Sequence, residues 1–320
     1  MATNADRSPV LSDAAPLRLA SFSPKAGGAI RVGALTESGA LVDLGAAAAK
    51  EKRALAFDPA DMISLIASGE AGLAEVRALV AVAGDAATPL DAVRLAAPIP
   101  VPRRNVHAVG WNYVEHFEEG KSLRDSGQTL PAHPVFFTKG THAVNGPYEP
   151  IPYDPRVSTL IDWEVELAVV IGTRGKNIPE EDAMDHVFGF SVINDTSARD
   201  VQQKKHGGQW FKGKSLDGHG PLGPWIVTAR GFAHDDLRLV TRVNGVVKQD
   251  ASTRQMYFKV PRIIAELSLG MTLEPGDLIA TGTPPGIGHA RKPPEYLKPG
   301  DVLETEIEGI GLLRNVITAV

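Results

Sequence analysis

The chain has 320 residues, 43% hydrophobic and 22% charged, so it can bury a sizeable core and is too apolar to be disordered as a whole. Its 33 Lys plus Arg against 38 Asp plus Glu give a formal charge of -5, which excludes a basic footprint for nucleic acid or an anionic membrane and leaves a small molecule as the expected partner. With no cysteine, disulfides, thiolate nucleophiles and sulfur-ligated metals are excluded, so any metal must sit on oxygen or imidazole.

Residues 1–16 are polar and rich in Ala, Ser and Asp, and read as a frayed tail rather than a signal peptide. No run of roughly eighteen apolar residues follows, so the expectation is a soluble, cytoplasmic protein with no membrane span. In that setting the sequon Asn194-Asp195-Thr196 is a coincidence. Residues 17–44 alternate short apolar runs with glycine breaks, as in an antiparallel meander. Asp58-Pro59 predicts a helix start, with Met62, Leu65 and Ile66 on one face and a stop at Gly69, and 73–82 predicts a second helix ending at Gly84. Together 17–97 form a small α+β N-terminal domain.

Prolines 98, 100 and 102 disfavour helix and mark an extended connector. Beyond it, 103–320 reads as the catalytic domain. Strands are predicted over 105–109, 135–138, 163–171, 188–193, 225–228, 239–243, 278–281 and 302–307, with 182–186 and 261–269 the clearest helical candidates. The fold class is therefore α+β with a β-rich mixed sheet, not a regular βαβ array. Two Leu-x-Pro-Gly-Asp turns, at 273–277 and 297–301, each lead into a strand, and the proline-rich stretch 281–299 reads as a surface loop region.

In Asp162-Trp163-Glu164-Val165-Glu166-Leu167, strand alternation puts Glu164 and Glu166 on one face, ~7 Å apart. The bland reading is a solvated face. Against it, the run continues as Ala168-Val-Val-Ile171, and a strand covered on both sides has no place for two unpaired carboxylates. Asp195, at the end of the strand 188–193, supplies a third acid. Three carboxylates without Cys or clustered His favour a hard cation: Mg²⁺, with Mn²⁺ or Ca²⁺ as alternatives.

Asp162-Trp-Glu-Val-Glu-Leu-Ala-Val-Val-Ile171, Asn194-Asp-Thr-Ser-Ala-Arg-Asp-Val-Gln202, Gly213-Lys-Ser215, Pro221-Leu-Gly-Pro-Trp225 and Thr281-Gly-Thr-Pro-Pro-Gly286 occur in one order. In that order they resemble the fumarylacetoacetate hydrolase family, over about 105–320. The resemblance implies metal ligands at Glu164, Glu166 and Asp195, a lysine beside the metal at Lys214, site-shaping residues at Arg199 and Gln202, and a substrate contact at Thr283. It also implies a catalytic pair, His116 and Glu119, which one helical turn would bring together. Some relatives carry a further carboxylate ligand near Asn112, where this chain has an amide. A homodimer is implied as well.

The segment Gly208-Gln-Trp-Phe-Lys-Gly213-Lys214-Ser215 satisfies the Walker A pattern, so a P-loop nucleotide-binding protein is the remote alternative. Its flanks lack the apolar strand and following helix that such a loop needs. No G-x-S-x-G elbow supports a serine triad. The activity expected is hydrolysis of a carbon–carbon bond in an acylpyruvate or related 2-oxo acid or diketone through a metal-stabilised enolate. Decarboxylation, isomerisation or hydration of 2-oxo-ene-dioates on the same site is the alternative, and a non-catalytic oxo-acid binding protein is the non-enzymatic one.

Overall fold

The computed structural model describes residues 15–84, 87–123 and 127–320, so nearly all of the expected tail 1–16 lies outside the described residues. The N-terminal meander forms as Arg18–Pro24, Arg31–Leu35 and Leu41–Asp43. Helices Met62–Ala67 and Gly69–Ala83 cover it, burying Leu65, Ile66, Val76 and Leu79 in a core that contains Leu19 and Val32.

Nine strands follow one hydrogen-bonded path through the larger sheet. After the meander, Arg18–Pro24 pairs with Gly220–Thr228, which leads to Val187–Asn194 and Val165–Ile171. The path ends through Leu278–Ala280, Val106–Gly110 and Val135–Lys139. The pair Ile279↔His107 is parallel while its neighbours are antiparallel, so the sheet is mixed. Sheet hydrogen bonding thus runs from the N-terminal segment into the C-terminal one, through Arg18↔Val227 and Leu19↔Ile226. A second sheet of five strands orders Val246–Ser252, Arg238–Val243, Val302–Ile307, Gly311–Ala319 and Ile151–Tyr153. Leu167, Val169 and Phe190 from the first sheet meet Leu239, Ile307 and Leu313 from the second, with Ile263 and Ile264 of the helix Val260–Ser268 closing the layer. The architecture is α+β and β-rich, as expected.

Several boundaries differ from the sequence expectation for local reasons. The first helix is capped by Asp61, whose carboxylate accepts from the Ile63 N–H at 2.8 Å, while Asp58 and Pro59 form the preceding turn. The alanine run after Leu44 is a helix, Leu44–Lys50, capped by Asp43; we expected none there. The segment 182–186 belongs to a 3₁₀ turn, Glu180–His186. Strands Ile151–Tyr153, Val246–Ser252 and Gly311–Ala319 carry too mixed a pattern to announce themselves. The proline-rich stretch is no simple surface loop: Thr281, Gly282, Thr283 and Pro284 are buried against the central strand.

His219, buried just before the strand Gly220–Thr228, places Nε2 2.8 Å from the Pro152 carbonyl and leaves Nδ1 without a partner among the described residues. Burial pushes its imidazole down to about 4 from the ordinary 6.5. Between those two values the unfolded chain holds a proton that the folded chain refuses, so stability present above pH 6.5 is lost as pH falls toward 4. The term is on the order of 3 kcal/mol. Urea unfolding midpoints of wild type and His219→Gln should converge on acidification; midpoints that fall in parallel would remove His219 as the cause.

Candidate functional site

Val165–Ile171 is buried at every residue and flanked by strands on both sides, which rules out a solvated face for Glu166. Glu166 is 1% exposed and Glu164 is 4% exposed. Strict alternation does not position Glu164, however. Trp163 and Glu164 sit in a break between the short strand Ile161–Asp162 and Val165–Ile171. The Asn194 side chain takes over there, its carbonyl accepting the Glu164 N–H at 3.1 Å, while the Glu164 carbonyl accepts the Asp195 N–H at 2.9 Å. These two bonds join the strand ends and turn Asp195 inward. Glu164, Glu166 and Asp195 each offer an oxygen within 4.8 Å of the others.

Lysine and arginine partners fill the surroundings. Lys214 donates to Glu164 at 2.6 Å and to Asp195 at 2.7 Å, and Lys139 donates to the other Asp195 oxygen at 2.6 Å. Arg199 spans Glu164 at 2.6 Å, Asp162 at 2.8 Å and the Gln202 carbonyl at 3.1 Å. Burial opposes ionisation of Glu164, yet Lys214, Arg199 and His116 together hold its carboxyl well below the usual range. Glu166 goes the other way. Burial, then Asp195 and Glu164, push its carboxyl well above the usual range, and Lys214 and the Gly282 N–H do not compensate. Four buried carboxylates, Asp162, Glu164, Glu166 and Asp195, thus face three buried cations, Lys139, Arg199 and Lys214. Glu166 is the acid left short of positive charge, and the Tyr113 hydroxyl, close enough to feel its charge, has no partner among the described residues. Three converging oxygens with a charge deficit fit a hard divalent cation.

The cavity at the cluster is about 240 Å³ and is lined by Glu164, Glu166 and Lys214 together with Trp111, Phe137 and Trp210. His116 and Glu119 lie on one helical turn, Val114–Glu119, with Nδ1 2.7 Å from a Glu119 oxygen. The other Glu119 oxygen accepts the Gly286 N–H at 2.7 Å. Gly286 has φ +108, and a Cβ there would lie 2.2 Å from the Lys248 carbonyl, so glycine alone presents this N–H. His116 lines the same cavity as the acids. Thr283 also lines it, but its hydroxyl is engaged by the Val165 carbonyl at 3.0 Å and the Gln249 amide at 2.8 Å.

The Walker-like run 208–215 does different work. A helix, Arg199–Lys204, precedes it where a P-loop needs a strand, and the Lys214 ammonium donates to the Glu164 and Asp195 carboxylates. A Cβ on Gly213 would lie 2.5 Å from the Gln202 backbone nitrogen, so this glycine permits close approach to that helix. The P-loop reading is corrected accordingly. Asn112 is consumed structurally by Thr281 at 2.7 Å and both backbone groups of Phe258.

Sequence reasoning missed two buried charges. Lys139 ends the strand Val135–Lys139 one residue beyond the expected limit, with no local signal of its role. Asp162 stood inside a quoted motif without an assignment, yet it binds Arg199 and accepts N–H bonds from Trp163, Gly288 and His289 at 2.7–3.0 Å.

Residues 105–318 match the fumarylacetoacetate (FAA) hydrolase C-terminal domain. The chain belongs to the fumarylacetoacetate hydrolase family. It is similar to a mitochondrial oxaloacetate tautomerase of Bos taurus, 44% identical over 81% of this chain and 80% of that one. An oxaloacetate tautomerase of Bacillus subtilis is 42% identical over 81% of this chain and 87% of its own. Among solved structures, a fumarylacetoacetate hydrolase from psychrophilic Exiguobacterium antarcticum superposes with a TM-score of 0.78 at 39% identity, covering 95% of this chain and 100% of that one. A 2-hydroxyhepta-2,4-diene-1,7-dioate isomerase from Mycobacterium marinum gives 0.69 at 33% identity, covering 95% and 98%. The family is one of enzymes, and these relatives' names include tautomerase and isomerase beside hydrolase, so membership does not select the carbon–carbon hydrolysis we expected. No described helix is long and apolar enough to cross a membrane.

Proposed function

We propose that this chain is a divalent-metal-dependent enzyme that interconverts the enol and keto forms of a small 2-oxo diacid of the oxaloacetate type. The observation that carries this reading is that Glu164 and Glu166 of the carboxylate cluster and His116, hydrogen-bonded to Glu119, line one cavity of about 240 Å³, suited to a small acid and not to a nucleotide. The names of the similar tautomerases support the substrate class. Glu164, Glu166 and Asp195 would hold the cation, Mg²⁺ first. Bound there, it supplies Lewis-acid charge that favours the ionised enol over the ketone.

The chain's own side chains do the rest. Lys214 neutralises charge that develops on the substrate's 2-oxygen, while Arg199 and Gln202 hold the adjoining carboxylate and Thr283 shapes the wall. Glu119 takes Nδ1 of His116 and leaves Nε2 for the cavity. In ketonisation the enol O–H proton passes to solvent as its bond pair forms the C2=O bond, the C2=C3 pair takes a proton at C3 from the His116 imidazolium, and the neutral imidazole regains a proton from solvent; enolisation is the reverse. A homodimer in a cytoplasmic setting belongs to the same proposal, and light scattering tests its assembly.

A second reading rests on the same His116–Glu119 pair, which would instead activate water to cleave an acylpyruvate. Decarboxylation, isomerisation and hydration share the enolate. Loss of the ultraviolet band of enol-oxaloacetate, followed with mass analysis of products, separates them. Metal-loaded enzyme should accelerate the loss with all four carbons retained, and chelator should abolish the effect. Cleaved acids would favour the hydrolytic reading, and no acceleration with any hard cation would end the tautomerase one.

A further inference from the structure

At the cavity mouth stands a group that none of the steps above uses. His289 lines the cavity, with Nδ1 2.7 Å from the Tyr296 hydroxyl and Nε2 3.2 Å from the Gln203 side-chain carbonyl. Its backbone is anchored as well, the His289 N–H donating to Asp162 at 3.0 Å. Asp162 also binds Arg199, whose other end reaches Glu164. A continuous chain of hydrogen bonds therefore sets the position of His289 relative to the acid cluster.

We propose that His289, held in orientation by Tyr296 and flanked by Gln203, forms a subsite that reads the distal carboxylate of the 2-oxo diacid. The inference rests on the functional reading above and deepens it. With the phenol donating to Nδ1, the ring proton resides on Nε2, where its present acceptor is a long and partly exposed amide oxygen. An incoming carboxylate oxygen replaces that acceptor with a charged one and gains a shorter, stronger bond. The Gln203 amide supplies N–H donors by rotation about its terminal bond. Burial, then Arg199, keeps the imidazole below its ordinary value. Arg199 and Lys204 bring positive charge to bear on His289 and Asp162 brings negative charge, so recognition of the anion rests on the Nε2–H and the Gln203 amide.

The test uses enol-oxaloacetate and enol-acetylpyruvate, which share the 2-oxo acid end and differ distally in carboxylate against methyl ketone. For wild type the ratio of kcat/KM values should favour the diacid. In His289→Leu that ratio should fall about tenfold to a hundredfold, the range for loss of a charge-assisted hydrogen bond. Tyr296→Phe, which keeps the ring and removes the hydroxyl, should lower the ratio by a smaller factor, an effect a purely structural role would not produce. Turnover of both enols with a ratio unchanged in His289→Leu overturns the subsite alone. Turnover of neither by metal-loaded wild type overturns the tautomerase reading and the subsite with it.

Discussion

Glu166→Gln should abolish cation-dependent turnover while leaving the chain folded. Glutamine has nearly the same volume and keeps a carbonyl to accept the Gly282 N–H, now 2.8 Å from a Glu166 oxygen. It removes the one acid of the cluster that lacks a cationic hydrogen-bond partner among the described residues. Loss of about 4 kcal/mol of charge stabilisation in the transition state corresponds to a fall on the order of a thousandfold in kcat/KM. Mg²⁺ or Mn²⁺ should raise the melting temperature of wild type, because an ion that binds only the folded state stabilises it by mass action. The same ions should leave the variant's melt unmoved. Full wild-type activity in excess chelator would sink the metal proposal, whatever the variant does.

His116→Gln should separate proton transfer from metal binding. The side chain lies beside the acid cluster without belonging to it, and its bond to Glu119 orients the ring. Replacing it should cost about a hundredfold to ten-thousandfold in kcat, the usual worth of a positioned acid or base, with the ion-induced rise in melting temperature kept. Glu119→Gln should cost less, because the Gly286 N–H still finds a side-chain oxygen and the ring loses only part of its orientation. Rates unchanged in His116→Gln would require another proton carrier.

Periodicity and composition made much of this architecture legible. The apolar run through Val165–Ile171 announced a covered central strand, and a covered strand makes paired carboxylates conspicuous. The helical turn joining His116 to Glu119 was legible for a similar reason, since residues three apart on a turn are neighbours. Lys139 was not, because a lysine at the end of a strand looks the same whether it meets water or Asp195. Nor was Asp162, whose donors come from 199, 288 and 289, far along the chain.

By itself, the sequence determined the β-rich class, the hard-donor character of any metal site and the Glu164–Glu166 pair at its centre. These depend on residue type and near-neighbour spacing, which the covalent chain already contains. The tertiary structure alone decided that Asn194 bridges a broken strand to aim Glu164, that the Walker-like lysine closes a carboxylate pair, and that a proline-rich stretch forms an inner wall. It also decided that His289 stands at the cavity mouth. Each of these depends on atoms brought together across long chain separations, and only the packed sheet holds such atoms within hydrogen-bond reach.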